Sequence, residues 1–169
     1  MSKTDFFKVN AEGEQNALLR IGEKSYLLIY GYRKDNEDDE QGYNWRKYYD
    51  HNPSAEELKE DIVNLIDSET DGKILSGFVW KEIPVYLSTE NQMNFKAAYD
   101  LAVQTSGATL PIKFKLGEDT SGNALYHTFS ELTEFTDFYT KAMGYVISVL
   151  NAGWEEKDNI QFDKLVINE

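Results

Sequence analysis

Cysteine is absent from the 169 residues, and histidine occurs only twice, at His51 and His127. The first absence excludes a disulfide framework, cysteine-ligated zinc and thiol catalysis, and leaves the redox compartment open. Neither histidine lies in an HExxH pattern or beside a closely spaced partner, as a zinc site requires. His127 shares a strand face with Leu125 and Phe129 and reads as a packed, hydrogen-bonded core residue. His51 precedes Asn52-Pro53 and reads as a solvated connector residue. No apolar run reaches the length needed to span a bilayer, and no early run resembles a signal peptide. The expectation is a soluble chain made in the cytoplasm, without membrane contact. Basic residues are few, seventeen against thirty acidic ones, for a formal charge of −13. Such a field repels a phosphate backbone and disfavours nucleic acid as a partner.

Catalytic patterns are missing too. There is no GxSxG, no phosphate-binding glycine loop and no GxGxxG. Carboxylates abound, Glu56, Glu57, Asp119, Glu155 and Glu156 among them, but most fall on expected solvent faces, and glycosidase chemistry needs a pair facing across a cleft, so abundance alone carries no signal. The run DNEDDE at 35–40 offers oxygen ligands, yet an EF-hand count from Asp35 places Glu40 where glycine is needed and Arg46 where an acid is needed. It reads as a solvated loop. No enzyme, no cofactor and no metal site is expected.

What is present is a strongly patterned chain rich in aromatic residues. Leu87 to Gly107 reads as one complete helix. Thr89 and Gln92 have capping-box spacing, Glu90 places a negative charge in the first turn, and Gly107 supplies a left-handed stop. Gln92, Lys96, Asp100 and Gln104 form one narrow polar stripe. Met93, Phe95, Ala97, Ala98, Tyr99, Leu101 and Ala102 make much of the remaining surface apolar, so the helix is expected to be embedded between layers.

Around it, Phe6, Phe7 and Val9 start a short strand. Ala17–Ile21 and Ser25–Arg33 form a hairpin about Gly22-Glu23-Lys24. Tyr43–Asp50 resumes extended structure. Ser54 and Glu57 cap a first helix whose buried face is Leu58, Ile62, Leu65 and Ile66, with Asp71-Gly72 ending that segment. Ile74–Trp80 and Ile83–Leu87 suit a hairpin turning at Lys81-Glu82, and Pro84 marks its second strand as an edge. Leu110, Ile112, Phe114 and Leu116 alternate with lysines as a half-buried strand, and Leu125–Phe129 is its partner. Ser130 caps a last helix over Phe135, Phe138, Tyr139, Ala142, Met143, Val146, Val149 and Leu150, expected to stop at Gly153. The stretch from Trp154 to Glu169 carries apolar Ile160, Phe162 and Val166 without a clear element.

The fold class that follows is α+β. Two β-hairpin–helix units have their helices on one face of an antiparallel sheet, and a β-rich N-terminal region and one helix precede them. The division falls into an aromatic region, 1–53, and an α+β domain, 54–169. Charge follows the same line, net −2 over 1–53 and −11 over the rest. The nearly neutral third is therefore the expected contact surface. Its candidate binding residues are Tyr26, Tyr30, Tyr32, Tyr43, Trp45 and Tyr49, an aromatic ladder if the two strands pair. Such rings either pack across strands beneath the first helix, or form an exposed contact platform.

The pieces GFVWKEIPVYLSTENQMNFKAAYDLA, LPIKFKLG, YHTF and FYTKAMGYV occur in order between about Ile66 and Asp158. In them the chain resembles a domain of unknown function that recurs in phage and prophage proteins of the tail-fibre-associated or tail-fibre-assembly type. The helix start at Ser88, Glu90, Gln92 and Asn94 belongs to the likeness. The resemblance implies a virion or prophage accessory role and supplies no catalytic residue. Its partner would be another protein, a phage tail component or a second copy, and the chain would become virion-associated. The alternative is a glycan-binding module, with Trp45 and neighbouring tyrosines stacking on sugar rings and Asn44 or Arg46 supplying hydrogen bonds.

Overall fold

The computed structural model describes residues 5–165. In order, the elements are β1 (Phe7–Ala11), β2 (Ala17–Arg20), β3 (Tyr26–Arg33), β4 (Gly42–Tyr49), α1 (Ala55–Ser76), β5 (Phe78–Trp80), β6 (Ile83–Val85), α2 (Thr89–Gln104), β7 (Ile112–Glu118), β8 (Ala124–Phe129) and α3 (Leu132–Asp158). A 3-10 turn follows at Phe162–Lys164. The α+β class holds, with a β-rich N-terminal region, one helix and two hairpin–helix units. The chain forms two compact units, one made of residues up to Ser68 together with those from Glu156, the other of Glu69–Glu155. That division differs from a boundary at 53/54, because the first half of α1 shares a core with the N-terminal strands.

In the first unit four antiparallel strands run in the order β1-β4-β3-β2. Period-two alternation sorts their side chains into two faces. On the inner face Leu18, Tyr26, Leu28, Tyr30 and Tyr49 share a core with Leu58, Ile62, Leu65 and Ile66 of α1 and with Leu165. These are the four α1 residues expected from spacing. Ser54 Oγ accepts the Glu57 amide at 3.1 Å. The capping box is only half formed, since Glu57 turns its carboxylate to His51 Nε2 at 2.9 Å. Asp71-Gly72 does not end the helix, and Ile74 is helical rather than extended. An exposed helical glycine costs about 1 kcal/mol, and packing Ile74 against the second core offsets it.

In the second unit the two hairpins are separate ladders, β5-β6 and β7-β8. The Tyr86 amide donates to the Leu116 carbonyl at 2.7 Å and joins them. Leu116 can do this because the β7-β8 register slips between Lys115 and Gly117. Gly117 then lies so close to β6 that a β-carbon there would stand 2.1 Å from the Pro84 carbonyl oxygen. The Lys81-Glu82 turn is as expected, with both residues at positive φ, the geometry that matches strand twist in a two-residue hairpin. Phe78, Trp80, Val85, Leu116 and Phe129 form a core with Phe95 and Ala102 of α2 and Phe135, Phe138 and Ala142 of α3.

Several helix details depart from expectation. Ser88, not Thr89, caps α2, its Oγ accepting the Asn91 amide at 3.2 Å, while the Gln92 amide group reaches the Leu87 carbonyl. At the other end Gly107 is left-handed as expected, at φ +86°, but Ser106 before it is left-handed too, its amide donating to the Val103 carbonyl while the Gly107 amide donates to that of Ala102. That pair of bonds is a Schellman motif. The helix is not embedded: only Phe95 and Ala102 are buried, and Met93, Leu101 and Val103 are exposed. α3 begins after Glu131, whose carbonyl accepts the Phe135 amide, so Ser130 is not its cap. It runs through Gly153 to Asp158, and the following turn brings Ile160, Phe162 and Leu165 to the first core. Val166 lies outside the described residues.

Candidate functional site

The six aromatic candidates do not form one exposed platform. Tyr26 faces Tyr49 across β3-β4, and Tyr30 faces Trp45. Tyr26, Tyr30 and Tyr49 are buried in the first core, so the packing alternative describes them. Burial, and then the Asp61 carboxylate that accepts its hydroxyl at 2.6 Å, push the Tyr49 phenol far above its ordinary value. Trp45 and Tyr43 are half-buried and meet edge-on, with the Lys8 ammonium 4.0 Å from the Tyr43 ring centre.

Tyr32 leaves this face altogether. The register slips between Tyr30 and Arg33, and Gly31 takes φ +67° there. Two residues of β3 thus oppose Asn44 alone, a bulge that only glycine accommodates without strain. Tyr32 turns toward Gly42 on the opposite face, and Arg33 replaces it on the inner one, opposite Tyr43. Asn44 is itself buried, its amide group donating to the Gly31 and Gly13 carbonyls. Asn44 and Arg46 therefore lie on the face away from Trp45, and the three cannot converge on one sugar.

That outer face is aromatic and aliphatic, with Leu27 and Ile29 buried beneath more exposed neighbours. Across it the register aligns Phe7, Arg46, Ile29 and Ala17 in one row, and Tyr48, Leu27 and Leu19 in the next. Phe7 and Tyr48 stack with centroids 5.3 Å apart. Phe7 is 36% exposed, Leu19 41% and Tyr48 61%. Arg46 stands in the middle. Its Nε is buried with no hydrogen-bond partner among the described residues, at a cost of about 1–3 kcal/mol for an unmet donor. The other two arginines are engaged, Arg20 with backbone carbonyls and Arg33 with Glu156 at 2.6 Å. Sequence reasoning overlooked this face. Its signal was β3 itself, where Leu27 and Ile29 alternate with Tyr26, Leu28 and Tyr30, leaving neither face polar.

A second feature is a cavity of about 660 Å³ in the first unit, whose lining includes Asn16, Tyr32, Arg33, Glu156, Gln161 and Lys164. Glu156 accepts both the Tyr30 hydroxyl, at 3.0 Å, and Arg33.

The histidines have other surroundings. His51 bridges Asp50 and Glu57, each at 2.9 Å, and these carboxylates raise its pKa above 6.5. His127 is packed as expected, its ring 5.0 Å from Trp80. Its Nε2 is buried 3.3 Å from a carboxylate oxygen of Glu134. Glu134 accepts from Lys81 at 2.7 Å, which holds its carboxyl below the usual range. In the 35–40 loop Asp39 caps the Asn36 amide, and Asp35 pairs with Lys8. No group of three or more acidic or histidine side chains among the described residues is arranged to hold a metal ion. No described helix is long and apolar enough to cross a membrane. No family model, curated protein or solved structure matches this chain.

Proposed function

We propose that the chain is a non-enzymatic structural or assembly module of phage or prophage type that works by protein–protein contact through the outer face of its N-terminal sheet. The observation that carries the contact reading is that face: Phe7, Tyr48 and Leu19 partly exposed over Leu27 and Ile29. Exposed apolar patches of this kind mark interaction sites, and aromatic side chains with arginine are the residues that dominate interface energies. The tail-associated context rests on the resemblance over 66–158 alone. Pull-down of phage tail components with the native chain and with Leu19→Lys tests the reading. Capture by the native chain and loss in the variant are expected. A strict monomer on graded dilution that captures no tail component counts against the proposal.

The cavity beside Tyr32 favours a second reading, glycan binding. Paired amides and carboxylates suit hydroxyl groups, and the tyrosine ring supplies an apolar wall. Calorimetric titration with a panel of oligosaccharides, repeated on Tyr32→Ala, distinguishes it. Heats unchanged by the substitution would remove this reading.

A further inference from the structure

The contact reading leaves the partner's chemistry open, and Arg46 narrows it. We infer that the outer sheet face docks a segment of a different protein that places one carboxylate over Arg46 and apolar side chains over the Phe7–Tyr48 stack and Leu19. The inference rests on the contact reading and adds the charge.

Three observations carry it. Arg46 occupies the central row, between Phe7 on β1 and Ile29 on β3, so an occupant lying across the sheet passes over it. Its side chain is half-buried, and its Nε has no hydrogen-bond partner among the described residues. A planar fork of donors amid apolar neighbours is matched by a carboxylate, which accepts two parallel bonds. Among the described residues, no strand position on this face is an acid. A second copy stacked on it by two-fold symmetry would present the same strand face, which has no carboxylate to offer Arg46. A phosphate-rich or anionic membrane surface is disfavoured by the charge of −13.

The test is selection from a bead-displayed library of dodecapeptides against the full chain. Enriched peptides should carry one Asp or Glu flanked by apolar residues. Arg46→Gln, with its fold verified by circular dichroism, should weaken them at least about thirtyfold. On the native chain, replacing the peptide's acid by its amide should do the same, which keeps the test decisive if Arg46→Gln does not fold. Enriched peptides without an acidic position that are nonetheless lost in Leu19→Lys would overturn the carboxylate and leave the contact face standing. Peptides indifferent to both positions, or no enrichment at all, would overturn both. A dimer on light scattering that Arg46→Gln dissolves would overturn the assignment to a different protein.

Discussion

Gly153 of α3 faces Thr70 of α1 so closely that a β-carbon would stand 2.5 Å from the Thr70 hydroxyl oxygen. Gly153 is buried, in a position where helix propensity alone favours alanine by about 1 kcal/mol. Overpacking costs about 1–3 kcal/mol and prevails. Gly153→Ala should lower the urea midpoint. In a Thr70→Ala background the same substitution should raise it, because the remaining Thr70 contacts are at ordinary distances. A double-mutant cycle in urea measures the sign change.

The orientation of α2 gives a second contrast. Ala98 is half-buried against the second core, whereas Lys96 is exposed and pairs with Asp100 at 2.5 Å. Ala98→Leu adds three heavy atoms at the interface and should cost about 1–3 kcal/mol. Lys96→Leu should change the urea midpoint little, since exposed pairs contribute little. A larger loss for Lys96→Leu would reverse the assigned faces.

Asp61 connects α1 to the strand before it. Its two oxygens accept from Lys47 at 2.7 Å and from the Tyr49 hydroxyl at 2.6 Å, and both ends of the ion pair are largely shielded. Hydrogen bonds to a shielded charge contribute more than surface pairs. Asp61→Asn should cost about 1–3 kcal/mol by chemical denaturation. It should also lower the absorbance-detected Tyr49 titration, because the acceptor that holds the proton is weakened.

His51 makes a pH prediction. Its folded pKa is raised by Asp50 and Glu57 above the unfolded value of 6.5. The proton is therefore held more tightly in the folded chain. The added stability is fully present below pH 6.5 and fades as the pH rises through the higher folded value. The His51 ring proton should titrate above 6.5 by NMR, and His51→Gln should flatten stability across that window. A midpoint at or below 6.5 would refute the bridge.

Spacing revealed most of the elements because their causes are local. The buried side of α1, the Lys81-Glu82 turn and the Ile112–Glu118 strand each follow from a few adjacent residues. What was illegible depended on distant neighbours. Gly72 and Gly153 look like helix ends, but one sits on an open surface and the other faces Thr70. The polar stripe of α2 was visible, yet nothing local says that Met93 and Leu101 share its solvent side. The candidate site failed at Gly31 for the same reason. A single bulge residue exchanges Tyr32 for Arg33, and alternation read straight through β3 misses it. The row containing Arg46 emerges only when β1 and β3 are both in register with β4.

The last described residue, Leu165, is 2% exposed and belongs to the same core as Leu18 and Tyr26 near the start of the chain. This has a consequence for synthesis on the ribosome. The unit that holds β1 to β4 cannot close its core until Leu165 has left the exit tunnel. The unit spanning Glu69–Glu155 has all of its own residues earlier. During translation these strands must wait with an apolar gap where Ile160, Phe162 and Leu165 will sit, and a ribosome stalled before Ile160 holds strands made before Glu69–Glu155 that become native after it.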